Sequence, residues 1–293
     1  YAGVLKRAPG QRDALQALVA MFDAGEARLA AAQILAGTLE PTGDWQHMIA
    51  VLEVLCEAAA APAERKKVLL KVAELYERRL GQKDSAFSTL GRAFQEDPAD
   101  DRVRLALERL AADTDNYEAL AAIYTRRLEG LEDRAVQLLL LRRLASLSEE
   151  RLGDVDQALE NFKAVVAQDP KDANALMSLE RIYRQRENYD ALVDVLRKRL
   201  KVIAKAEDAS ALLYEVASIH EERLGDLGGA TQAYRDALEV QPQDLNALRM
   251  LDRLCGMQGR LKELAEVLIA EIKLLDKLGE RAEALNLRFR LGH

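Results

Sequence analysis

Gly81, Gly153 and Gly225 recur at intervals of 72 residues, and this period constrains the chain more than any other feature. Pro98, Pro170 and Pro242 keep the same interval, as do Arg7, Arg79, Arg151 and Arg223. Trp45, Tyr117, Tyr189 and Leu261 share another phase of it. Longer phrases repeat too: LERLAADTDNYEAL from Leu107, LERIYRQRENYDAL from Leu179 and LDRLCGMQGRLKEL from Leu251. Self-similarity on this scale means stacked copies of one supersecondary unit, each burying its apolar face on its neighbours. At 293 residues the chain is long for a single central core, and stacking removes that limit.

The unit is helical. Between Leu147 and Pro170 the sequence reads helix, two-residue break, helix, stop. Gly153 tolerates the turn conformation and Asp154 can cap the next helix. Ala158, Phe162 and Val165 follow at helical spacing, and Asp169-Pro170 ends the unit because proline cannot continue a helix. Aromatic residues make up only 5% of the chain, while alanine and leucine abound, which favours helix-on-helix packing over sheets. Each 72-residue block therefore holds two helix pairs, a 34-residue unit A and a 38-residue unit B.

Counting from Leu139, Ala158, Phe162, Val165 and Pro170 occupy positions 20, 24, 27 and 32; Ala230, Tyr234, Ala237 and Pro242 repeat this from Ala211. Here, and in the loop GDVDQA at Gly153 to Ala158, the chain resembles the tetratricopeptide repeat family. Unit B is a looser relative, keeping Leu176, Leu179 and Tyr183 but placing Leu192 where the family prefers alanine. The resemblance covers nearly the whole chain. It implies an all-α fold, a right-handed α-solenoid of antiparallel helix pairs with a concave groove, and a single solenoid domain over 1–293. Its units fall at 1–28, 29–66, 67–100, 101–138, 139–172, 173–210, 211–244 and 245–282, with a further unit starting at 283–293. Because Tyr1 is not a methionine and Leu285, Leu287 and Phe289 have no partner helix in the chain, the array is expected to be a piece of a longer protein with apolar ends.

Charge and motifs exclude several function classes. A net charge of −7 argues against a nucleic-acid partner, leaving an RNA-binding helical repeat as a third choice. No apolar run reaches 18 residues, so no membrane insertion is expected, and the segment YAGVLKRAPG carries no signal-peptide core. Cys56 and Cys255 lie too far apart along a solenoid to pair and form no metal motif; a cytoplasmic location follows, and the Ala/Arg/Leu/Asp-rich composition points to a bacterial source. His47, His220 and His293 fall in unrelated phases without metal-ligand spacing. The acidic group Asp97, Asp100 and Asp101 flanks Pro98 and reads as helix capping, not a calcium loop. No catalytic residue, metal site or cofactor is expected, and the chain is not read as an enzyme.

The candidate site is a set of arginines. Arg79, Arg151 and Arg223 stand at position 13 of the first helix of unit A, and Arg109, Arg181 and Arg253 at position 9 of the first helix of unit B. In the resembled family these positions point into the concave groove, so the two sets would alternate as a basic ladder, with Asn174 and Asn246 beside it to meet a peptide backbone. Arginine grips carboxylates bidentately, so the implied partner is another protein, an acidic peptide or small folded domain. The plainer reading is that neighbouring acids, Glu150, Glu222, Glu108, Glu180 and Asp252, neutralise the ladder. Trp45, Tyr117 and Tyr189 read as packing plugs at helix entries. Glu108 and Glu180 each sit nineteen residues before an arginine, Arg127 and Arg199, which predicts half-buried ion pairs between facing helices. At the same two places the first unit B has Ala36 and Leu55, and the last has two acids, Asp252 and Glu271, which need another cation such as Arg253 or Lys273 or else mark a locally loosened unit. Protein–protein scaffolding is the expected function; a spacer that self-associates end to end is the alternative.

Overall fold

Helix breaks recur every fifteen or so residues, and the computed structural model, which describes residues 12–292, holds sixteen α-helices and no strand among the described residues. Arg7, His293 and the segment 1–11 lie outside the described residues. The structure forms two compact units that part between Asp154 and Val155. The first holds α1 (Arg12–Asp23), α2 (Arg28–Leu35), α3 (Trp45–Ala58), α4 (Pro62–Arg78), α5 (Lys83–Glu96), α6 (Asp101–Thr114), α7 (Tyr117–Leu128) and α8 (Arg134–Glu150). The second holds α9 (Val155–Gln168), α10 (Ala173–Gln185), α11 (Tyr189–Leu200), α12 (Ala206–Ser218), α13 (Leu227–Val240), α14 (Leu245–Gln258), α15 (Leu261–Leu278) and α16 (Arg281–Leu291). Within each unit the helices stack as antiparallel pairs, the all-α solenoid arrangement that the period predicts. α4, α8 and α12 each begin five residues before 67, 139 and 211, because Pro62, Asp133 and the turn before Ala206 start the helix there.

The repeated glycines are turn residues in fact: Gly81, Gly153 and Gly225 have φ of 66°, 64° and 64°, a region that costs an L side chain about 1 kcal/mol or more. The same wide bond precedes each, from Leu80 N–H to Leu75 O (3.1 Å), Leu152 to Leu147 (3.2 Å) and Leu224 to Ile219 (3.1 Å). In the third copy it extends into a full π-turn, Ile219–Arg223. Asp100, Asp172 and Asp244, also 72 apart, accept first-turn N–H bonds of the helices they precede, each offsetting an orphan donor. The acidic group at Pro98 is thus part of a cap, and Lys66 Nζ bridges Asp97 and Asp100 at 2.7 Å each. The Lys66 hydrogen bond holds the Asp100 carboxyl below the usual carboxylate range.

The small and aromatic repeat positions fill the cores. Ala158, Phe162, Val165, Ala230, Tyr234 and Ala237 are all buried, the alanines letting helix backbones approach closely while the rings fill the space between. Cys56 and Cys255 are both buried and free.

The two facing-helix ion pairs resolve differently. Arg199 donates to Glu180 as predicted, and Arg184 adds a second bond at 3.0 Å. Glu108 instead accepts from Arg104 (3.1 Å) and from the Tyr124 hydroxyl (2.9 Å), with Arg143 at 3.7 Å. Arg127 is not its partner. Arg104 and Tyr124 have the apolar counterparts Leu176 and Leu196 one block on, so there only Arg199 can reach the glutamate across the helix pair. In the last block Asp252 is held bidentately by Arg290 (2.7 Å each) and Glu271 is approached by Arg249 (3.7 Å); neither Arg253 nor Lys273 supplies the cation. Glu180→Ala is expected to lower stability by about 1–2 kcal/mol, since it strands Arg199 at a half-buried site. Arg199→Ala should cost less, because Glu180 keeps Arg184. A urea titration of both variants checks the order, and unchanged midpoints in both would refute the pair.

Candidate functional site

Arg79 and Arg151 directly follow the last residues of α4 and α8, and Arg223 closes the π-turn after α12; each stands two residues before the left-handed glycine. The next element back in the stack starts with an aromatic residue, the first residue of α3, α7 or α11. The two series meet. The guanidinium carbon of Arg79 lies 4.9 Å from the Trp45 ring centroid, that of Arg151 5.3 Å from Tyr117, and that of Arg223 5.5 Å from Tyr189. Each aromatic is half-buried and each arginine exposed. An exposed cation–π contact contributes about 0.5–1 kcal/mol, enough to restrict the side chain without consuming its N–H donors. None of these three arginines has an acidic partner or a hydrogen-bond acceptor among the described residues. Their adjacent acids, Glu150 and Glu222, do not neutralise them. The expected packing plugs are therefore also shelves that carry arginines.

The second arginine set is placed differently. Arg109 binds Glu77 through two nitrogens, at 2.8 and 2.9 Å, and Arg253 binds Glu221 at 2.6 and 2.7 Å. Arg253 holds the Glu221 carboxyl below its usual range through that hydrogen bond. Arg181 has a partner as well. Asn174 and Asn246 are exposed at the starts of α10 and α14. The eight sequence candidates thus differ in their local surroundings. The structure separates three arginines held on rings from others held by carboxylates. Sequence reading missed Glu77 and Glu221, although each lies 32 residues before its arginine, and it missed the constant separation of 34 that joins each aromatic to its arginine.

Beside the Arg151–Tyr117 shelf, a cavity of about 240 Å³ is lined by Glu108, Tyr124, Arg143, Ser146 and Glu150 among others. Its polar wall sits on a buried hydroxyl: burial, then the Glu108 charge, pushes the Tyr124 phenol far up, so it stays a donor. Among the described residues no group of His, Cys, Asp or Glu is placed to hold a metal ion, and no helix is long and apolar enough to cross a membrane.

Tetratricopeptide repeat family models match residues 67–99 and 140–172, and a second model of that repeat matches 175–209. The chain carries tetratricopeptide repeats at these residues. Among other repeat proteins, it is similar to superkiller complex protein 3 of Mus musculus, 25% identical over 205 residues, which are 70% of this chain and 13% of that protein. Tetratricopeptide repeat protein 37 of Xenopus laevis is 25% identical over 211 residues, 72% of this chain and 13% of the relative. The chain thus spans about an eighth of the length of these relatives. A solved tetratricopeptide repeat protein from Parabacteroides merdae superposes with a TM-score of 0.36 at 19% identity, covering 78% of this chain and 92% of the other.

Proposed function

We propose that the chain is a protein-interaction scaffold that docks an acidic peptide or the acidic surface of a small folded partner on the first-helix faces of its units, with Arg79 and Arg151 as anchors on the first unit and Arg223 on the second. The observation that carries this reading is the repeated shelf: an exposed guanidinium standing on an aromatic ring, without an acidic partner among the described residues, at the same place in three successive repeats. A tethered, unpaired guanidinium meets a carboxylate having already lost part of its rotamer freedom, and so binds it at lower entropic cost than a free lysine. Arg109 and Arg253, already held by Glu77 and Glu221, contribute shape and hydrogen-bonding rim rather than net charge. Asn174 and Asn246 supply exposed amides for a partner's backbone. An RNA partner would need a net basic surface, which a chain of net charge −7 does not offer as a whole.

The test is binding of a fluorescein-labelled glutamate-rich peptide, followed by anisotropy at rising salt. Wild-type protein should bind it in a salt-sensitive manner, and the triple variant Arg79→Glu/Arg151→Glu/Arg223→Glu should lose at least about tenfold in affinity. The variant Arg109→Gln/Arg253→Gln should retain most of the binding. Equal loss in both variants, or none in the first, refutes the assignment of anchors.

A further inference from the structure

The 72-residue period supplies an internal reference for every surface position, and one place on the first unit departs from it. On the second helices of their pairs, α5 and α7, the side chains of Phe87, Ser88, Ala119, Ala122 and Ile123, with Gly91, line an open groove of about 440 Å³. One block further on, the positions of Ser88 and Gly91 hold Glu160 and Lys163; two blocks on they hold Gln232 and Arg235, and one block back Gln16 and Val19. Ala122 corresponds to Asp194 and Glu266 in the later blocks. There the long side chains lie over the surface and pair with each other or their neighbours, Lys163 with Glu160 at 2.8 Å and Arg235 with Glu263. In the first unit they are replaced by groups too small to cover the helices.

Gly91 is tied to this surface by geometry. A Cβ at Gly91 would lie 2.8 Å from Ile123 Cδ1, so the bare backbone lets the isoleucine lie directly across α5. The counterparts of Ile123 are the shorter Val195 and Val267, which leave room for the lysine and arginine opposite them. The floor that results is apolar, and its walls are fixed. Arg92 is clamped by Glu53 at 2.7 and 2.8 Å, and Gln95 donates to the Ile123 carbonyl at 3.2 Å. Of the charged residues lining the groove, only Arg126 has no acidic partner among the described residues; it is exposed at the last turn of α7.

We propose that this groove is a second docking site, separate from the arginine shelves, for an amphipathic helix of another protein that inserts one large apolar side chain between α5 and α7 and sets a glutamate against Arg126. A rigid apolar slot of this volume suits a buried anchor residue, and an unpaired guanidinium at its mouth supplies charge complementarity for one carboxylate. Two helices lying side by side offer a groove of the kind into which a third helix packs its ridge.

The experiment titrates a lactam-bridged helical peptide, one leucine and one glutamate a turn apart in an alanine–glutamine background, into ¹⁵N-labelled protein, and repeats it with glutamine in place of the glutamate. Saturable amide shifts are expected around Gly91, Ala119, Ala122 and Ile123, with roughly tenfold weaker binding for the glutamine peptide or for Arg126→Gln, as for loss of one charge-assisted hydrogen bond. The variant Gly91→Lys/Ile123→Val should abolish the shifts. It places at both positions the residues that the next block already carries, so it should melt within a few degrees of wild type; Ala122→Glu, after Glu266, is the second filling variant. Shifts that survive both filling variants, that cluster elsewhere, or that disappear in the arginine-shelf triple variant overturn the proposal, as does the absence of saturable shifts at millimolar peptide.

Discussion

Tyr124→Ala lowers the stability of the first unit by about 3–5 kcal/mol, the range for removing a buried aromatic side chain. Tyr124 is fully buried, and its ring packs against Phe94, also fully buried, with centroids 5.5 Å apart at 49°. Its hydroxyl donates to Glu108 at 2.9 Å. The alanine variant therefore opens a cavity between α5 and α7 and removes a donor from a half-buried carboxylate at once. Tyr124→Phe separates the two effects. It keeps the ring and loses only the hydroxyl, and Glu108 still has Arg104 at 3.1 Å, so its cost should be about 1 kcal/mol. Denaturant titrations of both variants check this. Similar losses in the two would mean that the hydroxyl, and not the packing, dominates; a loss near zero in Tyr124→Ala would mean that the core closes over the gap.

Glu271→Leu is expected to act in the opposite direction, raising stability at pH 7 by about 1–4 kcal/mol, as buried charged groups often do when replaced by apolar ones. Glu271 is 2% exposed on α15. One of its oxygens has no hydrogen-bond partner among the described residues, and Arg249, at 3.7 Å, also serves Glu283 at 2.6 and 2.8 Å. Burial first, and then the charge of Asp252, raise the carboxyl above its ordinary range; Glu283 adds to this, while Arg249 and Arg290 oppose it. The sign of the pH dependence follows. Below the ordinary carboxylate pKa, Glu271 is protonated in both the native and unfolded chains and carries no penalty. As pH rises from there to the raised native value, the unfolded chain gives up its proton first, so the native state binds more protons and stability falls. The advantage of the leucine variant should thus be small near pH 4 and grow toward neutrality. The first unit B already has Leu55 at this place, so the repeat accommodates the side chain. Parallel pH titrations of thermal unfolding decide it, and a constant difference across pH would show that ionisation of Glu271 plays no part.

The fold was legible in the sequence because its determinants are local. Gly153 lies in the left-handed region because the helix before it ends in a wide turn, and Asp172 caps because it precedes a free helix N-terminus. Interactions of this kind span five residues or fewer, and the period of 72 shows each of them several times. The Glu180–Arg199 pair was legible for a related reason: its two ends lie on the two helices of one unit, joined by a short turn.

The candidate site was legible only as a set of residues. Arg79, Arg109, Arg151 and Arg253 look alike in sequence, yet two stand on rings and two are held by carboxylates. Glu108 shows the same limit within one site, since Arg104, Tyr124, Arg143 and Arg127 were all near enough in prospect and the first three hold it. The groove at Gly91 shows in the sequence only as small residues, Ser88, Gly91 and Ala122, where later blocks carry long ones; that they leave one open volume is decided by packing.

The sequence by itself determined the helices, their ends, their caps and the period on which they stack, since short-range backbone bonding and apolar spacing suffice for these. Only the tertiary structure decided which long side chain reached which partner and where surface was left uncovered. Those outcomes depend on several flexible groups from different helices competing for the same few ångströms.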